Sequence, residues 1–377
     1  MLHQTSVPRL CSEPPIRGVF GAHPDDFIVE EILAYEPSGS GAHIYLWIEK
    51  KDITTFDAVR RIARFLDRPT HAFGMAGLKD RNAVTRQWLS IEHVEIERLR
   101  GWTIDDVSIL RAERHGHKLR IGHARGNRFI LNLRNVPAGD LGRTQKIVDT
   151  ILRNGLPNAY DSQRFGRGGV SLQLGLALIH HNFELFTKLN GGRPAEHTER
   201  RLRSLLISAV QSELFNRVLA ARIGALGTLH NGDIATIHKN GAAFVVEDAA
   251  VEQPRADVFE ISPAGPMLGS KLLQGFGAPR ELEDRVFAEA QLSAELFKQL
   301  PLGHEARGAR RPLRVPLADF RMRVENENVQ FAFSLPSGSY ATRFVYELLG
   351  GDVLRNDKND RNDITENPNH PELHDDE

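Results

Sequence analysis

The sequence predicts an α+β protein with a mixed layer of strands and helices followed by a second domain. Three observations lead there. Strand-like and helix-like segments alternate up to residue 155, a Gly- and Arg-punctuated texture begins near Leu156, and a strand–strand–helix pattern returns after residue 305. At 377 residues the chain exceeds what one hydrophobic core supports, and 41% apolar content is enough for two. A second domain is expected to begin near Leu156, and the chain ends in an acidic tail at 351–377.

In chain order, residues 27–32 and 43–49 are rich in β-branched and aromatic side chains and flank a Pro-Ser-Gly-Ser-Gly turn, the pattern of a hairpin. Thr54 or Thr55 then offers a helix cap, and Phe56, Val59, Ile62, Ala63 and Leu66 recur at helical spacing. Strands are expected at 87–92, 118–122 and 128–133 and a helix at 141–154, where Ile147, Val148, Ile151 and Leu152 form one stripe. Beyond Leu156, helices are expected near 172–181 and 201–223, and then a Gly- and Pro-rich stretch to Gly308. Strands at 313–317, 320–325 and 329–335 and a helix at 340–349 close the pattern and are expected to complete the first sheet.

Several function classes drop away on composition. A single cysteine, Cys11, excludes an internal disulfide, and the histidine pairs at 115/117 and 180/181 lack the neighbours that would complete a metal shell. No run approaches the length of a membrane span and the N-terminus lacks a secretory pattern, so a soluble cytoplasmic protein is expected. The net charge of −1 hides an uneven distribution: residues 351–377 hold nine acids and three bases, leaving +5 on the remainder. That tail is nearly free of apolar residues and is expected to be disordered.

Basic residues cluster in three places: the helix face of Arg60, Arg61, Arg64 and Arg68; the run containing Arg114, Lys118, Arg120 and Arg125; and residues 307–323. Three such runs in a near-neutral chain point to an anionic polymer, with binding that weakens as salt rises. Asp80 stands between Lys79 and Arg81, and nearby opposite charge favours the carboxylate, which suits a nucleophile or electrostatic stabiliser better than a general acid. The alternative is a turn aspartate in a surface ion pair. Asn127 and Phe129 join a hydrogen-bonding amide to an aromatic ring, the pairing that recognises an unstacked base; Phe27 and Tyr340 are similar aromatics at turn edges, and each could instead be a core residue. Asp25 and Asp26, adjacent on the chain, are read as turn or strand-edge residues and not as an acid/base pair.

Eight blocks in order make the chain resemble the TruD family of tRNA pseudouridine synthases over residues 18–350. They are Pro24-Asp25-Asp26-Phe27, Glu36-Pro37-Ser38-Gly39, Ala76-Gly77-Leu78-Lys79-Asp80 with Ala83-Val84-Thr85, Gly126-Asn127-Arg128-Phe129, Pro157-Asn158, Gln163-Arg164-Phe165-Gly166, Ser208-Ala209 with Leu214-Phe215-Asn216, and Leu335-Pro336-Ser337-Gly338-Ser339-Tyr340-Ala341-Thr342. The resemblance implies a mixed-sheet catalytic domain at 1–155 and 305–350 interrupted by an inserted TRUD domain at 156–304, and conversion of uridine to pseudouridine in tRNA, with position 13 as the usual target. It implies Asp80 as the catalytic aspartate and Phe27, Asn127, Phe129 and Tyr340 around the uridine. Arg114, Lys118, Arg120 and Arg125 are expected on the RNA backbone. No cofactor and no metal is expected, tRNA is the expected partner, and a monomer is the expected state. A non-catalytic RNA-binding protein or RNA chaperone with the same surface is the main rival; a carboxylate glycosidase would need a second acid near Asp80. Two departures stand out. Many relatives have lysine where this chain has Gly21, with Lys79 or Arg81 as candidate substitutes, and relatives tend to have glycine at Asp161.

Overall fold

The computed structural model describes residues 2–79, 81–99, 102–104 and 106–351; Asp80 and residues 352–377, the bulk of the acidic tail, lie outside them. The chain divides into two compact units. One comprises Ile16–Leu141 and Ala318–Gly338; the other comprises Met1–Pro15, Gly142–Leu317 and Ser339–Gly350. This cut differs from the sequence-based one at 156 and 304, because helix Leu141–Asn154 and strand Ala309–Pro312 pack with the second unit.

The first unit is a nine-stranded mixed sheet. In spatial order it runs Ala318–Glu325, Asn328–Pro336, Ala124–Leu133, Phe27–Leu33, Val84–Glu92, His43–Lys51, Val107–His115 and Thr103–Ile104, with Gly74–Met75 alongside Val84–Glu92. The first two strands of the chain do not form the hairpin that the sequence suggests. Val84–Glu92 lies between them, parallel to Phe27–Leu33 and antiparallel to His43–Lys51. A short turn makes a hairpin possible, but this central strand has buried side chains on both faces and satisfies both neighbours' backbone groups. Residues 118–122, expected as a strand, form a turn, with Ile121 at 75% exposure.

Helix Thr55–Leu66 is set by local chemistry. The Thr54 hydroxyl accepts from Asp57 N at 3.1 Å while the Asp57 carboxylate reaches back to Thr54, a capping box, and Asp67 ends the helix in the left-handed region. Its buried stripe of Ala58, Val59, Ile62, Ala63 and Leu66 packs on Ile44, Leu46, Ile48, Leu89 and Ile91. At about 1.5–3 kcal/mol for each large aliphatic side chain buried, this contact anchors the sheet.

The second unit gathers around helix Arg200–Arg222, whose Leu206, Val210, Leu214, Phe215 and Leu219 are buried with Leu172, Leu178, Val286 and Phe287. It also contains an antiparallel sheet of Ala243–Val245, Ile234–Ile237, Ile261–Met267 and Ala309–Pro312, in the stretch the sequence marked only by its punctuation. Strand Arg314–Val315 pairs with Leu156–Pro157 in this unit, so residues 313–317 do not extend the first sheet. Among the described residues no helix is long and apolar enough to cross a membrane.

Candidate active site

The antiparallel register of Phe27–Leu33 against Ala124–Leu133 sets Phe27 opposite Leu131, Val29 opposite Phe129 and Glu31 opposite Asn127. Alternation along both strands sends these residues to one face. The rings of Phe27 and Phe129 stack with centroids 6.1 Å apart and planes 11° apart, Phe20 meets Phe27 edge-on at 5.9 Å, and Phe333 lies 5.9 Å from Phe129. Phe129, 5% exposed, is a core residue that backs the less buried Phe27. Gly126 is needed beside them, since a Cβ there would lie 2.4 Å from the Leu335 carbonyl oxygen. The Asn127 side-chain oxygen is buried with no hydrogen-bond partner among the described residues. A buried acceptor left unmade is costly, and a ligand N–H would remove that cost.

The Pro24–Asp26 turn holds Phe27 in place. The buried Asp26 carboxylate accepts from His23 N at 3.0 Å and pairs with Arg134 Nε at 2.7 Å, while Asp25 pairs with Lys51 at 3.1 Å. These two acids act as separate scaffold groups, as their adjacency implies.

Four buried polar groups hold the segment that leads into position 80. The Lys79 backbone N–H donates to Thr55 Oγ1 at 3.0 Å, the Thr55 hydroxyl donates to Gln87 Oε1 at 2.9 Å, and Gln87 Nε2 donates to the Gly77 carbonyl at 3.4 Å. Lys79 Nζ lies 2.9 Å from Glu31 Oε1, with side-chain exposures of 9% and 0%, and the other Glu31 oxygen accepts from Trp88 N at 3.1 Å. Because Glu31 sits opposite Asn127, this ion pair brings the residue before position 80 to the Asn127 strand. The Lys79 charge is therefore matched by Glu31. Arg81 is exposed, donates to the Asp52 carbonyl at 3.3 Å, and has the Asp52 carboxylate 3.8 Å away. Gly21 has a φ of +76° and would leave a Cβ in open space.

Tyr340 belongs to the second unit, where four of the sequence blocks converge. Its ring meets Tyr160 at 6.1 Å and 63°, and the Arg311 guanidinium lies 4.2 Å from the Tyr160 ring centre. Asn158 Oδ1 accepts from Arg311 Nη2 at 2.6 Å and from Ser339 Oγ at 3.0 Å, and Arg164 donates to Ser212 Oγ at 3.1 Å and to Ser208. Burial raises the Tyr340 phenol above its ordinary pKa, with Arg164 and Arg311 pulling it back. Asp161 has a φ of −80°, so no glycine is required there; its carboxylate caps the next turn through Ser162 N and accepts from Thr342 Oγ1 at 2.7 Å.

Residues 8–201 and 193–348 match the family described as tRNA pseudouridine synthase D (TruD). The chain is 36% identical to the tRNA pseudouridine synthase D of Geobacter sp. (strain M21), covering 90% of this chain and 98% of that one. It is 39% identical to that of Anaeromyxobacter sp. (strain Fw109-5), covering 92% and 96%. The chain belongs to the tRNA pseudouridine synthase D family. The crystal structure of the putative family member from Methanosarcina mazei superposes with a TM-score of 0.77 at 22% identity, over 92% of this chain and 97% of that one, and so shares the fold.

Within this family fold, Phe27, Asn127 and Phe129 come together in the first unit and Tyr340 lies in the second. Of the expected backbone contacts, Arg114 donates to the Gly41 carbonyl at 3.5 Å and Lys118 to the His71 carbonyl at 3.0 Å, while Arg120 and Arg125 are exposed. Glu31, Thr55 and Gln87 escaped the sequence reading. A glutamate in phase with the inward-facing Phe27 and Val29 was the available signal.

Proposed function

We propose that this family member isomerises uridine to pseudouridine in tRNA at position 13, taking the nucleotide out of its stack and using the Asp80 carboxylate as nucleophile. The supporting observation is the buried Lys79–Glu31 pair, which ties the residue before position 80 to the strand pair carrying Phe27 and Asn127. A stacked uracil is unreachable, so extrusion comes first, and an aromatic face such as Phe27 replaces part of the lost stacking. Stacking of about 1–3 kcal/mol only offsets the cost of extrusion, so net affinity comes from phosphate contacts such as Arg114, Lys118, Arg120 and Arg125.

In the reaction, the Asp80 carboxylate attacks C1' of the ribose and the C1'–N1 bond breaks, with the electron pair leaving on uracil. The uracil turns while Asn127 holds its edge. C5 then attacks C1' and displaces the carboxylate, and the C5 proton is lost while N1 gains one. Atoms and charge balance, and no oxidant or reductant is consumed.

Asp80→Asn is expected to abolish pseudouridine formation on a tRNA transcript while leaving tRNA affinity within a few-fold. Retained turnover excludes Asp80 as the nucleophile. Modification mapping of cellular tRNA with and without the protein tests position 13, and wild-type protein that binds tRNA without turnover would instead support the RNA-chaperone reading.

A further inference from the structure

The first unit carries a second concave feature outside the aromatic pocket. A cleft of about 590 Å³ is lined by Arg68, His71, His93, His117, Lys118 and Arg120. Two of its cationic heads are fixed by backbone carbonyls: Arg68 Nη2 donates to the His93 carbonyl and Lys118 Nζ to the His71 carbonyl at 3.0 Å. Among the described residues one carboxylate, Glu92, lines the cleft; His43 Nε2 engages it at 2.7 Å and His93 Nε2 lies 3.8 Å from its other oxygen. Three permanent cations thus face one acid that is already occupied.

The wall is organised before any ligand arrives. The Ser38 N–H donates to His115 Nδ1 at 3.1 Å, which places the His115 proton on Nε2, where it donates to His117 Nε2 at 3.1 Å. His117 then carries its proton on Nδ1, facing the Lys118 carbonyl at 3.4 Å. Tyr35 stacks on His115 with centroids 5.1 Å apart. This loop is also held by the strands on either side of position 80: Leu119 N donates to Ser90 Oγ of Val84–Glu92 at 2.9 Å, and Gly74 packs so closely that a Cβ would lie 2.3 Å from the Leu119 carbonyl oxygen. Burial, followed by the neighbouring His117, holds His115 below the ordinary histidine pKa, so the imidazole behind the wall is neutral near pH 7.

We propose that this cleft is a phosphodiester subsite that grips the RNA backbone and fixes the strand against the rigid body that carries the segment before position 80. Guanidinium and ammonium groups with no carboxylate paired to them among the described residues suit phosphate oxygens, and the pre-fixed Arg68 and Lys118 side chains lose little further entropy on binding. The proposal rests on the tRNA-modification reading and refines it by adding Arg68, His71, His93 and His117 to Lys118 and Arg120.

The test begins with wild-type protein and a tRNA transcript; absence of both binding and turnover there refutes the functional reading itself. With active wild type, Arg68→Gln/Arg120→Gln is expected to weaken tRNA binding roughly tenfold and make the slope of log K against log salt shallower by roughly 1.5, the loss of two phosphate contacts. Arg98→Gln/Lys239→Gln removes the same charge from exposed positions elsewhere and is expected to change the slope by less than half as much. Glu92→Gln is expected to tighten binding. A cleft variant with an unchanged slope, or a control variant with an equal change, overturns the proposal. Titration of wild-type protein with inorganic phosphate, followed by imidazole NMR, is independent of how the variants fold. Saturable shifts of His93 and His117 support the subsite, and their absence refutes it.

Discussion

Replacing Glu31 with glutamine keeps the shape of the side chain and an acceptor for Trp88 N, and removes only the charge that faces Lys79. The Lys79 ammonium, 9% exposed and 2.9 Å from its partner, would then be a buried cation without compensation. Breaking a buried pair on one side costs about 3–5 kcal/mol, a large part of a stability of about 5–15 kcal/mol. The double variant Glu31→Gln/Lys79→Met removes both charges and is expected to recover most of that loss, so the coupling should be of the same order as the single-variant cost. Urea denaturation followed by tryptophan fluorescence measures the stabilities, with Trp88 next to the pair as a local reporter. The same proteins, assayed in single-turnover pseudouridine formation, should show a loss in rate with tRNA affinity within a few-fold, because the segment entering position 80 loses its anchor and a displacement near 1 Å can cost roughly a hundredfold. A single-variant cost below about 1 kcal/mol, the range of exposed pairs, would refute the reasoning. So would an unaltered single-turnover rate.

Further outcomes test the remaining parts of the site. Phe27→Ala removes the ring stacked on Phe129 and is expected to weaken productive tRNA binding by about 1–3 kcal/mol, read as a higher KM with the salt slope unchanged. Arg120→Ala/Arg125→Ala should weaken binding across tRNA sequences and flatten its salt dependence, since both side chains are exposed; an unchanged slope would move the phosphates elsewhere. His43 and His115 are buried and held below the ordinary histidine pKa, chiefly by that burial. The unfolded chain therefore binds more protons than the folded one as pH falls through about 6.5, so their stabilising contribution is complete above that pH and lost below it. The melting temperature should drop between about pH 7.5 and 5.5, and less steeply in His115→Gln. A wild-type melting temperature that rises over that interval would reverse the assignment.

Much of this was legible in short stretches of sequence. The Thr54 cap with its apolar stripe marked helix Thr55–Leu66, and helix Leu141–Asn154 matches the expected 141–154, because hydrogen bonding and side-chain spacing within a helix involve near neighbours. The eight ordered blocks carry the family resemblance, and the adjacency of Asp25 and Asp26 marks them as turn or strand-edge residues, which the Pro24–Asp26 turn resolves. Strand pairing was harder to read. Phe27–Leu33 and His43–Lys51 looked like a hairpin because their turn is short, yet Val84–Glu92 separates them, a choice made by burial on both faces of the central strand. The apolar Leu119 and Ile121 suggested a strand, but Leu119 is buried and Ile121 projects from a turn.

The sequence by itself determined helices Thr55–Leu66 and Leu141–Asn154, the family, and the residue types proposed for the site in the first unit: Phe27, Asn127, Phe129 and the lysine and arginine flanking Asp80. Tertiary structure decided what those residues touch. It set Glu31 against Lys79, linked Thr55 to Gln87 beneath the Lys79 backbone, and raised the walls of a cationic cleft from segments around residues 43, 70, 92 and 118. Such pairings join residues far apart in the chain, and they follow from strand order and register, which depend on the burial available across the whole sheet and not on any local pattern.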